Sequence, residues 1–333
     1  MKKKISQLLQ YVIFLGGGIF LVWWQLKSMN LEEKNEFYNA IKNANFWILI
    51  PISIMSIMSH ISRSMRWKLL MEPLDFHPKL RNVFMVTMVG YLANAAIPRL
   101  GELLKCTFLA RYEKLKLDKL VGTIILERSF DLVCYALFIA FTILIQIKII
   151  GNFATEKLNK LFHGNPTLTF LKLGLFIVTI ILFWIMIRWI IKRNPQNKLI
   201  NKINLIIKGI FEGLSTIKHM KKKRAFIMHT FFIWCMYLGQ IYLGFWGLES
   251  TASLGIGAAC SVLSLATLSM IVTPGGIGSF PIFVMQTLMI YGLTNAQGKA
   301  FGWLMWSAST GLIVLVGFVS LLLLPVLNKK QII

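Results

Sequence analysis

Ionisable side chains stand together inside an apolar stretch of this sequence, at 122–133 (GTIILERSFDLV). Thr123, Glu127 and Asp131 follow one another at intervals of four residues, a spacing that places them on one face of a helix. Arg128 precedes Asp131 by three residues, so the two can form an ion pair. At the centre of a bilayer each isolated charge costs at least about 2.5–3.5 kcal/mol. These residues therefore form one of two things. They are either a buried ion-pair network that only holds the helices together, or a polar cavity that accepts a charged group, and we favour the cavity.

Two segments containing Pro and Gly interrupt otherwise apolar sequence, at 97–102 (IPRLGE) and 273–281 (TPGGIGSFP). The first carries Arg99 and Glu102, and Asn94 stands shortly before it. The candidate residues of the second are its first proline and its glycines, Pro274, Gly275, Gly276 and Gly278. Arginine binds phosphate, and backbone amides at the start of a half-helix attract anions. Paired interruptions in two halves of a membrane protein are typical of a transport site.

The length and composition of the chain indicate an all-α polytopic membrane protein. Its 333 residues are 56% hydrophobic, with a mean hydropathy of +0.66, which is unlike an ordinary soluble domain. A run of about 20 apolar residues crosses a hydrocarbon core about 30 Å thick. We predict about six spanning helices, at 8–26, 46–62, 120–147, 169–191, 225–247 and 299–325. The interrupted segments lie in two further helical hairpins, 82–112 and 253–296, and the pattern leaves open whether these are re-entrant or cross fully.

The formal charge of +23 fits membrane topology better than nucleic-acid binding. With both termini in the cytoplasm, the cytoplasmic segments hold 26 of the 36 Lys and Arg residues, as the positive-inside rule expects. The largest of these segments is a basic loop at 192–224. The two hairpins then enter from opposite faces, as an inverted pseudo-repeat requires. We therefore predict a single integral membrane domain over 1–333, with halves at 1–168 and 169–333, that does not bind nucleic acid.

The sequence offers no pattern for a metal, a cofactor or a catalytic group. The four cysteines lack CxxC spacing, and the five histidines are scattered at predicted loops and helix ends. No Walker-type loop is present, so we expect no ATP hydrolysis by this chain. We predict no catalytic residue, no metal ligand and no cofactor.

Three motifs in order resemble the lysylphosphatidylglycerol synthase transmembrane region family: 91–102 (YLANAAIPRLGE), 122–131 (GTIILERSFD) and 273–278 (TPGGIG). That family includes the flippase part of the multiple peptide resistance factor and stand-alone members of about this length. The resemblance implies a multi-pass protein of the bacterial inner (plasma) membrane, of the lipid-flippase type. Relatives often carry an acidic residue just after the second glycine motif, where this chain has Pro281. The aminoacyl-transfer domain of the bifunctional members has no counterpart, so we do not expect this chain alone to synthesise lysyl lipid.

These features predict a flippase for a phospholipid or another lipid with a charged head group. Arg99 and Arg128 would hold the phosphate, with help from the glycine amides of the second break. Glu102, Glu127 and Asp131 would balance these arginines or meet an ammonium, and the sequence does not choose between the two. The alternatives are a membrane-embedded lipid-modifying enzyme with Glu127 or Asp131 as general base, and a non-transporting partner of an envelope glycosyltransferase or lipid synthase. A homodimer is also compatible with the sequence.

Overall fold

The computed structural model describes residues 16, 20–25, 27–97, 100–149, 151 and 220–329. Within these ranges every regular element is helical. Four of the helical segments are long and apolar enough to cross a membrane, Phe46–Leu74, Leu117–Ile145, Lys223–Gly247 and Asn295–Leu327. The predicted class, an all-α multi-pass membrane protein, is thereby confirmed. The span predicted at 169–191 lies outside the described residues, as does most of 8–26, so the total number of spans and the sidedness of the termini stay predictions.

Contacts between residues divide the chain into two compact units. The first comprises Met1–Arg128 and Lys218–Ile333, and the second comprises Ser129–Ile217. The helices are α1 Leu31–Lys42, α2 Leu49–Met71, α3 Leu80–Ala96, α4 Leu100–Glu113, α5 Leu117–Ile145, α6 Lys223–Gly244, α7 Ile256–Val272, α8 Ser279–Met289 and α9 Asn295–Leu327. Of the second unit the structure describes 129–149 and 151, chiefly the C-terminal part of α5. The predicted single domain over 1–333 and its two halves stay predictions.

Packing in the first unit brings the two interrupted regions together. α2 packs along α6, and α3 packs against both α4 and α9. α7 packs against α8, and α8 packs against α9. α9 therefore contacts a helix from each hairpin region, α3 from the first and α8 from the second.

Both breaks occur where a helix meets a proline. α3 and α7 are each 17 residues long. The residue after α3, Ile97, is extended (φ −135°, ψ 118°), and the residue after α7, Thr273, is extended as well (φ −124°, ψ 150°). Each of them precedes a proline, Pro98 or Pro274, whose ring disfavours the helical conformation of the residue before it. The two predicted interruptions thus fall between α3 and α4 and between α7 and α8.

The first hairpin is tight because two glycines face each other. A Cβ atom added to Gly101 would collide with the carbonyl oxygen of Gly90 and with the side chain of Asn94. Asn94 Oδ1 accepts a hydrogen bond of 2.7 Å from the Gly101 amide. This bond satisfies a backbone donor at the N-terminus of α4, where an amide has no partner within its own helix. Asn94 therefore ties the end of α3 to the start of α4.

The predicted span at 46–62 is too short. α2 continues to Met71, so Arg63 and Arg66 lie within the helix and not in a cytoplasmic loop. Arg66 is fully buried, and its Nη2 lies 3.1 Å from Glu127 Oε1. The helix extends past these basic residues because a carboxylate on another helix compensates the buried guanidinium.

Two lysines assigned to loops by the charge count also lie in helices. Lys105 belongs to α4 and Lys299 to α9, and both are buried. Counting basic residues along a sequence assumes that each one reaches water, and this assumption fails where a long side chain finds partners inside the protein.

Candidate functional site

Glu127, the central acid of the predicted stripe, lies in a buried ionic cluster. Its Oε1 accepts a hydrogen bond of 3.1 Å from Arg66 Nη2, and its Oε2 lies 3.3 Å from Lys105 Nζ. These side chains are at most 5% exposed. Arg66 Nη1 also donates to Thr230 Oγ1 at 3.2 Å. The cluster therefore joins α2, α4, α5 and α6 at one point.

Thr123 extends the buried ionic cluster by one turn of α5. Its hydroxyl oxygen accepts a hydrogen bond of 2.9 Å from Trp67 Nε1 on α2. The Trp67 ring in turn lies beneath the ammonium of Lys105, whose Nζ is 4.4 Å from the ring centroid, a favourable cation–π contact. Two of the three residues at four-residue intervals thus hold helices together.

A separate cavity of about 630 Å³ lies within the first unit. This volume falls in the range of about 300–1,000 Å³ that is usual for small-molecule sites. Residues at or just before both breaks line it, Asn94, Ala95 and Glu102 around the first and Thr273, Gly275 and Ile277 at the second. The two breaks touch, since a Cβ atom added to Gly275 would lie 3.4 Å from Ala95 Cα. Trp306 Nε1 on α9 donates to the Gly275 carbonyl at 2.8 Å and fixes the second break at the cavity.

Helices α2, α3 and α6 contribute polar side chains to the cavity lining. We call this set the polar wall, and its members are Ser56, His60, Arg63, Tyr91, Tyr237 and Gln240. The three from α2 stand at positions i, i+4 and i+7, so they share one face of that helix. His60 and Tyr91 lie with their ring centroids 5.0 Å apart. The polar wall thus combines one guanidinium with several neutral hydrogen-bonding groups.

An ion pair between α4 and α5 adds charged groups to the lining. Arg128 Nη2 donates to Glu102 Oε1 at 2.9 Å, and their side chains are 42% and 28% exposed. The same carboxylate oxygen accepts a hydrogen bond of 3.3 Å from Asn94 Nδ2. The other oxygen, Glu102 Oε2, has no hydrogen-bond partner among the residues that the structure describes. This pair borders the cavity, in contrast to the buried pairs of Glu127.

Helices α7, α8 and α9 contribute apolar side chains to the lining, together with the hydroxyls of Thr267, Ser309 and Thr310. We call the apolar members the apolar wall, and they are Leu263, Ala266, Met270, Ile271, Phe280, Met305 and Ile313. Met270 is 40% exposed and Ile271 is 64% exposed. A cavity lined by both polar and apolar side chains is suited to an amphiphilic molecule.

The sequence matches the family model for the lysylphosphatidylglycerol synthase TM region over residues 7–325. The chain belongs to this family. It is also 22% identical over 323 residues to the UPF0104 membrane protein of Methanocaldococcus jannaschii, a match that covers 89% of this chain and 91% of the relative. No solved structure matches. Because this relative is archaeal, the bacterial inner membrane stays a prediction for the present member of the family.

The candidate residues of this lysylphosphatidylglycerol synthase TM region protein fall into distinct places. Those that line the cavity are Asn94, Glu102, Arg128 and Gly275. Those in or beside the buried ionic cluster are Thr123 and Glu127. Asp131 belongs to the second unit. Arg99 and the side chain of Pro274 lie outside the described residues.

The glycines of the second break differ from the expectation that all three present exposed amides. Gly275, Gly276 and Gly278 have φ angles of 58°, 68° and 72°, which glycine adopts at little cost. Within this tight turn the Gly276 amide donates to the Thr273 carbonyl at 3.1 Å. That amide is therefore already engaged, and its role in binding an anion stays a prediction. Gly278 is buried, and its carbonyl accepts a hydrogen bond of 2.8 Å from Gln25 Nε2.

Arg63 and His60 are the main cavity residues that the sequence reasoning missed. Both were placed at or beyond the end of a helix, because the span was predicted to stop at residue 62. Their signal was the spacing of Ser56, His60 and Arg63, which forms a polar stripe on a helix of otherwise apolar character. Because residues at this spacing share one face of a helix, the stripe predicts a polar helix face that is directed into the protein.

Proposed function

We propose that this protein is a lipid flippase that binds a lipid with a charged head group in the cavity and moves it across the membrane. The observation that carries the proposal is the cavity at which both helix breaks meet and whose lining is partly polar and partly apolar. Arg63 and Arg128 line it together with exposed apolar residues such as Ile271. A lipid has the same division into a charged and an apolar part.

The physical requirement for such transport is replacement of the water around the head group. A phosphate entering about 30 Å of hydrocarbon loses its hydration, which is prohibitive for an unpaired charge. Guanidiniums, hydroxyls and amides on the polar wall would supply substitute hydrogen bonds. The acyl chains would remain outside, next to Met270 and Ile271.

The position of the breaks favours transport over catalysis. Irregular backbone at membrane depth is tolerated where it borders a cavity, and in many transporters it forms the substrate site. The alternative enzyme would use Glu127 or Asp131 as a general base. Glu127 is buried and held between Arg66 and Lys105, and Asp131 belongs to the second unit and not to the unit that contains the cavity. We therefore propose a non-enzymatic role in the plasma membrane, the inner membrane if the host is bacterial. Association with a second copy or with a lipid synthase stays a prediction.

The proposal is tested with the full chain reconstituted in liposomes that contain phosphatidylglycerol labelled with a fluorophore on an acyl chain. Dithionite added outside bleaches only the outer leaflet unless the protein brings inner-leaflet lipid outward. We expect wild-type protein to accelerate the bleaching of inner-leaflet lipid. Arg128→Gln should slow it about tenfold or more, because a hydrogen bond to a charged group contributes about 1.5–3 kcal/mol.

The matched control is Arg111→Gln on the exposed surface of α4, which should behave as wild type. Wild-type protein that moves lipid no faster than empty liposomes would contradict the proposal. An Arg128→Gln variant as fast as wild type would remove Arg128 from the site. Appearance of a new lipid species during the incubation would instead support the enzyme alternative.

A further inference from the structure

The contact between the two helix breaks has the position and the composition of a gate. Resting on the proposed function, we infer that the contact between Ala95 and Gly275 closes the passage between the two leaflets and that these residues separate whenever a lipid head group crosses. Three features support the inference: the packing of both hairpins along α9, the depth of the contact in the membrane, and the small size of the residues that form it.

The two hairpins lie end to end along α9. A Cβ atom added to Gly302 would lie 2.7 Å from Pro281 Cα, so α8 packs closely against the N-terminal half of α9. A Cβ atom added to Gly317 would lie 2.8 Å from Leu92 Cβ, so α3 packs closely against the C-terminal half. Trp306, which donates to the second break, stands between Gly302 and Gly317 in the chain. The two breaks therefore meet between the two packing contacts.

The level at which the breaks meet is near the middle of the membrane. α9 spans Asn295–Leu327 and is 33 residues long, about 50 Å at 1.5 Å per residue. It is long and apolar enough to cross a membrane, and its midpoint is Gly311. Trp306 and Ile313, which both line the cavity, stand on either side of that midpoint. Each hairpin thus occupies one half of the depth, and a crossing head group must pass the level at which they meet.

The residues in contact at this level are small. A Cβ atom added to Gly275 would lie 3.4 Å from Ala95 Cα and 3.7 Å from Ala95 Cβ. Small residues allow two backbones to approach closely. Alanine carries a single methyl group and glycine carries no side chain, so the two breaks touch at this point without interlocking. Such a contact can open and close without a change of rotamer in either residue.

Hydrogen bonds tie each break to its own hairpin. In the first hairpin Asn94 Oδ1 accepts from the Gly101 amide at 2.7 Å. In the second hairpin Thr273 Oγ1 lies 2.6 Å from Ser279 Oγ. Separation of the two breaks would leave both of these bonds in place. Transporters commonly move one such repeat against the other as a rigid body, and the bonds within each break favour this kind of movement here.

The test is a reversible disulfide between the two breaks. Ala95→Cys combined with Gly275→Cys places two Cβ atoms 3.7 Å apart, within the range of about 3.5–4.5 Å that disulfides require. The φ angle of Gly275 is 58°, which strains any other residue. Each oxidised preparation is therefore compared with the same preparation after reduction. Labelling of free thiols measures the cross-linked fraction.

Lipid movement is measured with the full chain in liposomes that contain phosphatidylglycerol with a fluorophore on a short acyl chain. Albumin added outside extracts labelled lipid from the outer leaflet, and this readout needs no reductant that would break the disulfide. We expect the accelerated rate to fall in proportion to the cross-linked fraction and to reach the rate of empty liposomes at full cross-linking. Reduction should restore the rate.

The matched controls are the single variants Ala95→Cys and Gly275→Cys and the wild-type protein, which has four cysteines of its own. Oxidation should leave the rate of each control unchanged. If the double variant does not fold, or is inactive when reduced, Ala95→Cys with Ile277→Cys makes the equivalent link through a short bis-methanethiosulfonate reagent. Ile277 belongs to the same break and lines the cavity.

The outcomes distinguish this inference from the proposed function. If wild-type protein moves lipid no faster than empty liposomes, the proposed function fails and the inference fails with it. If wild-type protein moves lipid and the fully cross-linked variant moves it at the reduced rate, transport stands and the gate is overturned. A folded double variant in which no disulfide forms would contradict the contact itself and would overturn the inference as well.

Discussion

Glu127 and Arg128 are adjacent on α5, yet they belong to two different electrostatic environments. Glu127 is 1% exposed and contacts two cations that are themselves buried. Arg128 is 42% exposed and pairs with Glu102 at the border of the cavity. Successive residues on a helix point about 100° apart, which is enough to direct one side chain into the packed helices and the next towards the cavity.

The difference shows how intramembrane charge can serve either structure or binding. A buried pair is strongly destabilised when one partner is removed, because the other partner then lacks compensation. A partly exposed pair contributes little to stability, so a ligand can replace one of its partners at small cost. Substitution should therefore destabilise the protein strongly in the first environment and only weakly in the second.

The largest expected effect is on folding and concerns the buried ionic cluster. Glu127→Gln leaves Arg66 and Lys105 buried without a negative partner, and we expect a loss of about 3–5 kcal/mol of stability. Thermal unfolding in detergent, followed by gel filtration, measures it. A Glu127→Gln variant that unfolds at the wild-type temperature would show that the cluster does not hold the helices.

A smaller effect is expected for the hydrogen bond beside that cluster. Thr123→Val keeps the shape of the side chain but leaves Trp67 Nε1 without its acceptor, which should cost about 1–3 kcal/mol. The matched control is Thr107→Val at an exposed position of α4, where the hydroxyl donates to the Leu103 carbonyl of its own helix. We expect Thr123→Val to lower the unfolding temperature and to leave lipid movement per folded molecule unchanged. Slower movement at full stability would place Thr123 with the cavity instead.

The smallest expected effect on stability belongs to the cavity pair. Glu102→Gln removes an ion pair that is partly exposed, so the stability change should stay below about 1 kcal/mol. The same thermal unfolding experiment as for Glu127→Gln gives the comparison directly. Equal destabilisation by the two substitutions would mean that both pairs are structural, and the distinction between the two environments would be lost.

Much of the fold follows from local sequence rules. The helical membrane class follows from composition, and both breaks follow from a proline after an apolar helix, at Ile97 and Thr273. The spacing of Thr123 and Glu127 correctly predicted that the two residues share a helix face. The period of the helix alone determines the face on which a residue lies.

The partners across helices could not be predicted in this way. Arg66 and Lys105 were interpreted as loop residues, because counting charge along the chain cannot show that both reach Glu127. The Gly276 amide also bonds within its own turn, to the Thr273 carbonyl, which the glycine motif alone does not indicate. Pairing between helices depends on packing, which one sequence without homologues does not specify.

The most direct test of the account is a structure of the full chain in a lipid bilayer disc containing phosphatidylglycerol. The account predicts a lipid phosphate in the cavity within hydrogen-bonding distance of Arg63 or Arg128, with its acyl chains leaving beside Met270 and Ile271. Glu127 should keep both its cations in that structure. A cavity filled by acyl chains, or a head group bound at Glu127, would contradict the division between a structural cluster and a binding cavity.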